Sequence, residues 1–158
     1  MKGDENVIGV SEYEDGYSIV FVTRGMPFTN WSAHQVDIWG KQFPTVEHAF
    51  HYKKFAETDP DWAEKIRNAK SPWEAWRLGW KRPIDTEWWD ARREEVIYEL
   101  IKAKVAQHAD VREALVKSNG RMIMESGDDT DAFWGVGFDY GGQNKLGEIW
   151  VRVRDELL

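Results

Sequence analysis

The segment that decides the fold is residues 43–55, which read FPTVEHAFHYKKF. Thr45 after Pro44 is a good N-cap, because its hydroxyl can accept a hydrogen bond from a backbone N–H group of the first turn. We therefore predict a helix over residues 46–57, closed by Asp59 and Pro60. Apolar residues occur nearly all round this helix, which predicts that it is buried and that its charged side chains need partners or a cleft.

Three polar side chains fall close to one face of this helix. At 100° per residue, Glu47 and Lys54 lie about 20° apart on the helical wheel and about 10 Å apart along the axis, with His51 between them. One interpretation is a solvated row of charges. The other is functional, because apolar walls would desolvate Lys54, lower its pKa and make its amine a nucleophile. His48 and His51 lie three residues apart, but no HExxH pattern or third ligand accompanies them, so we predict no metal site.

Outward from this helix, the patterns predict further helices and a few strands. Strands are predicted over 17–23 and 121–125, a hairpin broken at Gly40 over 36–43, and a final strand over 146–154. Helices are predicted over 61–69, over 71–79, over 87–107 as one long helix, and over 110–117. The first sixteen residues read as a strand or lead-in that ends at the turn Asp15-Gly16. Strands at both ends of a block of helices are typical of an α+β fold that is predominantly helical.

The composition bounds the class of protein. With 158 residues and no linker, we expect one domain over residues 1–158. The absence of Cys excludes disulfides, a thiol nucleophile and Cys-ligated metals. The chain has no apolar run near 18 residues and starts with a polar, acidic segment, so we expect a cytoplasmic protein without a membrane partner. The net charge of −7 argues against a general nucleic-acid or membrane-surface binder, although residues 61–120 carry 12 basic and 11 acidic groups.

Tryptophan is unusually abundant. The chain has ten Trp residues, whereas average usage would give about two. The simple interpretation is a tryptophan-rich core. The alternative is that several of these side chains line a cleft for a flat ligand, because an indole ring offers a wide stacking face.

The second informative segment is the loop over residues 126–144, which is rich in Gly and Asp. A stretch of this length without periodicity is usually a functional loop in a compact domain. It is either a turn-rich acidic loop or a ligand loop, in which Trp134 would stack on a base and Asp131 would lie near the reacting carbon. Its acidic spacing does not match an EF-hand, and the chain has no P-loop, Rossmann fingerprint or nucleophile elbow.

Several short motifs occur in an order that resembles one known family, the NADAR (NAD and ADP-ribose) or YbiA-like superfamily. In chain order the matching pieces are PFTNW at 27–31, FPTVEHAF at 43–50 with Lys54 and Phe55, Ile66-Arg67 with Ala69, SP at 71–72 with EA at 74–75, LG at 78–79, Trp89-Asp90 with Arg93, Ala103-Lys104 with Gln107, Glu125 with Asp131 and WGVG at 134–137, GQN at 142–144 with LG at 146–147, and Val153-Arg154. The chain departs from the family pattern at Trp80, where members usually carry Arg or Lys, and at Val105, where they carry an aromatic residue.

The resemblance implies helices packed around a small β-sheet and the activity of an N-glycosidase. Its substrate would be ADP-ribose on a guanine base, including guanine in nucleic acid, or a phosphorylated ribosylamino-pyrimidine intermediate of riboflavin biosynthesis. The resemblance places the reactive amine on Lys54, an acid/base carboxylate on Glu47 and a third catalytic group on Asp131. The residues it predicts to bind substrate are Asn30, Trp31, His51, Arg67, Trp134, Gly135 and Asn144. The candidates for phosphate binding are Arg67, Arg93 and Lys104.

The chemistry of such a reaction suits these residues and requires no metal or other cofactor. Breaking a C1′–N bond needs protonation of the leaving nitrogen and stabilisation of positive charge at C1′. Opening of the ribose exposes an aldehyde carbon, which an uncharged amine can trap as a Schiff base that water then hydrolyses. One rival hypothesis is a module that binds ADP-ribose or a similar nucleotide without cleaving it. Another is an interaction protein with a Trp-rich docking surface. The presence of both Glu47 and Lys54 favours the enzyme.

Overall fold

The structure is a computed structural model that describes residues 10–12, 18–22, 26–125, 131–137 and 139–158. In chain order its elements are β1 Val10–Glu12, β2 Ser18–Val22, β3 Val36–Ile38, β4 Lys41–Phe43, α1 Val46–Phe55, α2 Pro60–Arg67, α3 Pro72–Lys81, α4 Thr86–Asp90, α5 Arg93–Gln107, α6 Ala109–Lys117, β5 Met122–Glu125 and α7 Lys145–Leu157. This predominantly helical α+β architecture confirms the predicted fold class.

The chain divides into two compact units. One unit is formed by residues 30–108, and the other by the segments before residue 30 and after residue 108. The single domain over residues 1–158 stays a prediction. The predicted turn Asp15-Gly16 and residues 126–130 of the predicted loop lie outside the described residues. No helix in the described part of the chain is long and apolar enough to cross a membrane.

Helix α1 is the centre of the 30–108 unit, and α2, α3 and α5 all pack against it. The predicted cap is confirmed, because Thr45 Oγ1 accepts a hydrogen bond from the His48 backbone N–H at 3.2 Å. Eight of the ten α1 residues are buried, including Glu47, His51 and Lys54. The prediction that this helix is buried is therefore confirmed.

The neighbouring elements of this unit follow their predicted local signals. Strands β3 and β4 form the predicted hairpin, and Trp39 and Gly40 adopt the positive φ angles of 54° and 73° that a tight hairpin turn requires. Ser71 caps α3 by accepting a hydrogen bond from the Glu74 backbone N–H at 3.1 Å. Between α1, α2 and α3 lies an apolar cluster formed by Phe55, Trp62, Ala63, Ile66, Ala75 and Leu78.

The other unit is built on a three-stranded sheet with the order β1-β2-β5. Strand β1 is antiparallel to β2, and β2 is parallel to β5 with Ile19 opposite Met122. Helix α7 packs on β5. The fully buried Trp150 of α7 fills the core of this unit, and its indole N–H donates to the Phe28 carbonyl at 3.0 Å, which holds the backbone at Phe28 in place.

The predicted strand over residues 146–154 is wrong, because this segment is helix α7. The alternation of Ile149, Val151 and Val153 suggested a strand, but the buried residues follow helical spacing. They are Leu146, Gly147, Ile149, Trp150, Val153 and Arg154. Ile149 and Val153 fit both periodicities, and burial of the large Trp150 selects the helix.

The predicted single helix over residues 87–107 is also wrong, because it is divided into α4 and α5. The Asp85 side chain caps α4 by accepting from the Trp88 backbone N–H at 3.1 Å. Arg92, with φ −119° and ψ −24°, then interrupts the helical conformation before α5 begins. No Gly or Pro marks this break. Its physical reason is tertiary, since the break lets α4 bury Trp89 against Phe50 of α1, with ring centroids 5.0 Å apart.

Candidate active site

The amine of Lys54 is buried among aromatic rings in the 30–108 unit. The side chain is only 3% exposed, and its Nζ atom is surrounded by aromatic rings. It lies 4.3 Å from the ring centroid of Trp80, 5.6 Å from that of Phe50 and 5.9 Å from that of Trp89. Rings attract a cation through their quadrupole, but they cannot replace the hydration that a buried ammonium group loses.

This environment lowers the pKa of Lys54 from 10.5 to about 8. The largest cause is desolvation by burial, the charge of Glu47 acts in the opposite direction, and the positive charge of Arg93 lowers the pKa further. At a pKa near 8 a useful fraction of the amine is uncharged close to neutral pH. The sequence-based prediction of a desolvated Lys54 is consistent with this geometry.

Glu47 and His51 form a buried pair one helical turn apart on α1. The His51 Nε2 atom lies 2.8 Å from Glu47 Oε1, and the two residues are 2% and 7% exposed. Burial is the largest influence on the pKa of His51 and lowers it, which favours the neutral ring that donates its Nε2–H to the carboxylate. His51, predicted to bind substrate, therefore orients the carboxylate of Glu47.

A close approach of α3 to α1 fixes the other side of His51. A Cβ atom built on Gly79 would lie 2.1 Å from His51 Nδ1, so no larger residue fits there while the ring keeps its position. His51 Nδ1 is buried and makes no hydrogen bond to any described residue. Gly79 thus allows the close packing that holds the imidazole of His51 against Glu47.

We expect Gly79→Ala to destabilise the protein by about 1–3 kcal/mol, because the added methyl group overpacks the contact with His51. Activity should fall as well, since a displaced ring no longer orients Glu47. The check is thermal unfolding in two backgrounds. In a His51→Ala background the same substitution should be neutral or stabilising, because alanine favours helix over glycine by about 1 kcal/mol. An equal cost in both backgrounds would contradict the contact.

Asn30 adjoins the N-terminus of α1. Its carbonyl oxygen accepts from the Glu47 backbone N–H at 3.0 Å. Its side-chain Oδ1 atom is buried and has no hydrogen-bond partner among the residues that the structure describes. A buried acceptor without a partner is costly, so this oxygen is suited to accept from a hydroxyl of a bound sugar.

The other polar residues predicted for this unit have different surroundings. Trp31 is 38% exposed. Arg67 pairs with Glu64 at 2.8 Å and donates to the Gln42 carbonyl, so its charge is engaged locally. Lys104 is fully buried and donates from Nζ to Ser32 Oγ at 2.7 Å. Arg93 pairs with Asp90 at 3.5 Å, and its positive charge also acts on Lys54.

His48 has a structural environment. Its Nε2 atom lies 3.0 Å from the Ala69 carbonyl, to which it donates, and its Nδ1 atom lies 2.8 Å from Thr45 Oγ1. Burial is the largest influence on its pKa and lowers it. Both ring nitrogens of His48 are therefore engaged within the protein.

The predicted ligand loop belongs to the other unit, and its described residues form a tight turn. Asp131 Oδ1 accepts from the backbone N–H groups of Trp134 at 2.8 Å and Gly135 at 3.3 Å. Gly135 is buried, and the half-buried ring of Trp134 packs edge-on against Phe133 at 4.8 Å. Asp131 thus shapes the loop, and its predicted catalytic role stays a prediction.

Asn144 connects this loop to the sheet. Its Oδ1 atom accepts from the Glu125 backbone N–H, and its Nδ2 group donates to the Ile123 carbonyl, both at 2.9 Å. The residue adopts a left-handed conformation with φ 52° at the start of α7. These contacts favour a structural role, and the predicted role of Asn144 in substrate binding stays a prediction.

Sequence reasoning missed the aromatic surroundings of Lys54. Phe50 belongs to α1 itself, but Trp80 and Trp89 come from α3 and α4, and helical spacing within α1 cannot predict them. The abundance of Trp was the available signal. The structure divides the ten Trp residues into a buried group, Trp62, Trp89 and Trp150, an exposed group, Trp31, Trp73, Trp76 and Trp80, and a half-buried group, Trp39, Trp88 and Trp134.

The geometry defines a class of protein: a helix-dominated α+β fold with a buried Lys–Glu–His group on one central helix. Comparison of the chain with known protein families identifies its family. Residues 20–158 match the NADAR domain, so the chain belongs to the NADAR domain family, and the predicted resemblance is confirmed.

The relatives include curated proteins and a solved structure. The chain is 34% identical over 132 residues to the N-glycosidase YbiA of Escherichia coli (strain K12), covering 82% of this chain and 80% of that protein. It is 34% identical over 133 residues to the N-glycosidase Npun_R5314 of Nostoc punctiforme, covering 82% and 84%. It is also 32% identical to the maize riboflavin biosynthesis protein PYRR, covering 94% of this chain and 26% of that longer protein. The NMR structure of E. coli YbiA matches with a TM-score of 0.77 at 31% identity, covering 88% of this chain and 84% of that one.

Proposed function

We propose that this protein is an N-glycosidase, a hydrolase that cleaves the bond between ribose and the nitrogen of a base or amine. The observation that carries the proposal is the buried amine of Lys54, with its pKa lowered to about 8, on the same helix as the buried Glu47–His51 pair. Burial of this amine away from water costs free energy, and the same desolvation favours the uncharged form that a nucleophile requires. The relatives named N-glycosidases support the same activity.

Lys54 supplies the nucleophile in this proposal. The C1′–O4′ bond of the ribose breaks, the leaving nitrogen gives up its proton to O4′, and C1′ remains joined to this nitrogen as an imine. The uncharged Nζ atom adds to C1′, the leaving nitrogen departs with a proton, and a C1′=Nζ imine is left. Water then adds to C1′ and expels Nζ, which regenerates the amine and releases the free sugar.

Glu47 supplies the proton transfers. Its carboxylate takes the protons that Nζ releases as the amine adds to C1′ and passes them to the departing nitrogen. In the hydrolysis it takes protons from the attacking water and returns them to Nζ, so it ends as a carboxylate again. The hydrogen bond from His51 holds this carboxyl group in place. Asp131, Trp134 and the other residues predicted from the resemblance keep their roles as predictions within this proposal.

Two substrate classes follow from the family resemblance and the names of the relatives. One is ADP-ribose attached to guanine, and the other is a phosphorylated ribosylamino-pyrimidine, to which the name of the maize relative points. Both carry anionic phosphate and a flat heterocycle as the leaving group. Arg93 and the aromatic rings near Lys54 suit these two features.

The test is incubation of the protein with ADP-ribosylated guanosine and, separately, with a ribosylamino-pyrimidine phosphate, followed by mass spectrometry. Release of the free base or aminopyrimidine identifies the substrate class. Binding of either compound without release of product would instead establish a nucleotide-binding module.

The rate of cleavage should depend on pH through Lys54. Because the nucleophile is the uncharged amine, kcat/KM should rise about tenfold per pH unit below about 8 and level off above it. The measurement is the initial rate from pH 6 to pH 9.5 at constant ionic strength. A profile that is flat across this range would contradict an amine nucleophile with the lowered pKa.

A further inference from the structure

Trp80 has a position that core packing does not explain. Its side chain is 68% exposed, yet its ring is the one nearest to the buried Lys54 amine, at 4.3 Å from Nζ. Large indole rings contribute to stability mainly by being removed from water. A ring that remains mostly in water contributes little in that way.

The other two rings around the amine are buried. Phe50 is 6% exposed and Trp89 is 5% exposed, so they form the inner wall around Lys54 Nζ. Among these three rings, Trp80 is the one that meets the solvent. Lys54 itself is only 3% exposed, so Trp80 is the ring of this group that a molecule coming from solvent meets first.

The packing of α3 against α1 places Trp80 there. Gly79 contacts His51, and the next residue of α3 is Trp80, while Lys54 lies one turn after His51 on α1. The register that sets Gly79 on the imidazole therefore also sets the indole of Trp80 over the amine.

We propose that Trp80 is the specificity-determining residue of this site. In the free protein the indole of Trp80 covers the Lys54 amine. When substrate binds over the amine, the indole stacks on the flat, aromatic leaving group. This assignment rests on the proposed N-glycosidase function and adds a selection for heteroaromatic leaving groups over leaving groups without a ring.

The first arm of the test measures the cover and requires no enzymatic activity. Formaldehyde with cyanoborohydride methylates accessible amines, and peptide mapping gives the rate at each lysine. Trp80→Ala should raise the rate at Lys54 about fivefold or more relative to the exposed Lys70 and Lys117. Trp80→Phe should stay near the wild-type rate. Trp76→Ala, which removes another exposed indole of α3, is the matched control and should leave Lys54 unchanged.

The second arm measures selection by the leaving group. Whichever heteroaromatic substrate is cleaved is compared with ribosylamine 5-phosphate, which has a phosphorylated sugar and no ring. Trp80→Ala should lower kcat/KM for the heteroaromatic substrate by about 10- to 100-fold, the effect expected from loss of one stacked base, and change that for ribosylamine 5-phosphate by less than about threefold. Trp80→Phe should retain most of the wild-type preference in kcat/KM for the heteroaromatic substrate over ribosylamine 5-phosphate.

The outcomes separate the two proposals. An unchanged methylation rate at Lys54 in Trp80→Ala, or an equal loss of kcat/KM for both substrates, would overturn the role of Trp80. If the wild-type protein cleaves none of the compounds, the proposed function fails. In that case the methylation arm still decides whether Trp80 covers the amine, and the selection for leaving groups falls with the activity.

Discussion

Replacement of Lys54 by arginine is expected to lower turnover by about 10⁴-fold or more and to abolish formation of any covalent intermediate. Arginine keeps the positive charge, but a guanidinium group stays protonated and cannot add to C1′. In the wild-type protein, borohydride added during turnover should reduce the C1′=Nζ imine and leave a permanent bond to the sugar. Intact mass and peptide mapping should locate this adduct on Lys54.

The neighbouring lysine provides the matched control. Lys53 lies next to Lys54 in α1, but its Nζ atom is 4.5 Å from the ring of Trp39, on a different face of the helix. Lys53→Arg should therefore keep near wild-type turnover and the same adduct. The hypothesis is falsified if Lys54→Arg keeps wild-type turnover or if the adduct maps to Lys53.

Unfolding has to be excluded as the cause of lost activity. Lys54→Met places an unbranched apolar side chain among the same rings, so the fold should be retained. Because the folded protein lowers the pKa of Lys54, burial of its charged form costs stability below about pH 8, and this cost disappears as pH rises toward 10.5. Lys54→Met should therefore raise the melting temperature at pH 7 and flatten the dependence of stability on pH between 8 and 10.5.

The sequence predicted the parts of the fold that local signals determine. Thr45 marks the start of α1, and Ser71 marks the start of α3, because each satisfies a backbone N–H group that the helix leaves unpaired. The failures occurred where tertiary packing decides. Helix α7 was predicted as a strand because Ile149 and Val153 fit both the strand and the helix period. The break between α4 and α5 at Arg92 was missed because no Gly or Pro in the sequence marks it.

The candidate site also has a part that local spacing predicts and a part that depends on tertiary packing. Helical spacing placed Glu47, His51 and Lys54 close to one face of α1, since their relation is internal to one helix. It could not predict that Gly79 presses on His51 or that Trp80 and Trp89 surround the amine, since these residues come from other helices. The complete burial of Lys104 is likewise a property of the folded unit. The pairing of Arg67 with Glu64 is internal to α2, three residues apart, so helical spacing could have predicted it.

Replacement of Glu47 by glutamine is expected to lower kcat by about 10²–10⁴-fold while KM changes little. Glutamine has nearly the same shape, and its carbonyl oxygen can still accept the hydrogen bond that His51 donates to Glu47 at 2.8 Å. The substitution therefore removes proton transfer and the negative charge without emptying the position. Glu57→Gln, at an exposed glutamate just after α1, is the control and should leave kcat unchanged.

A second effect of Glu47→Gln distinguishes proton transfer from a general loss of structure. The charge of Glu47 raises the pKa of Lys54, so its removal should let that pKa fall further below about 8. The midpoint of the pH–rate profile should move to lower pH, and methylation of Lys54 by formaldehyde and cyanoborohydride at pH 7 should become faster although turnover becomes slower. A misfolded site would not give this combination, because exposure of Lys54 to water would return its pKa toward the ordinary value and move the midpoint upward. Full turnover by Glu47→Gln would contradict the acid/base role of Glu47, and Asp131 would be the next residue to substitute.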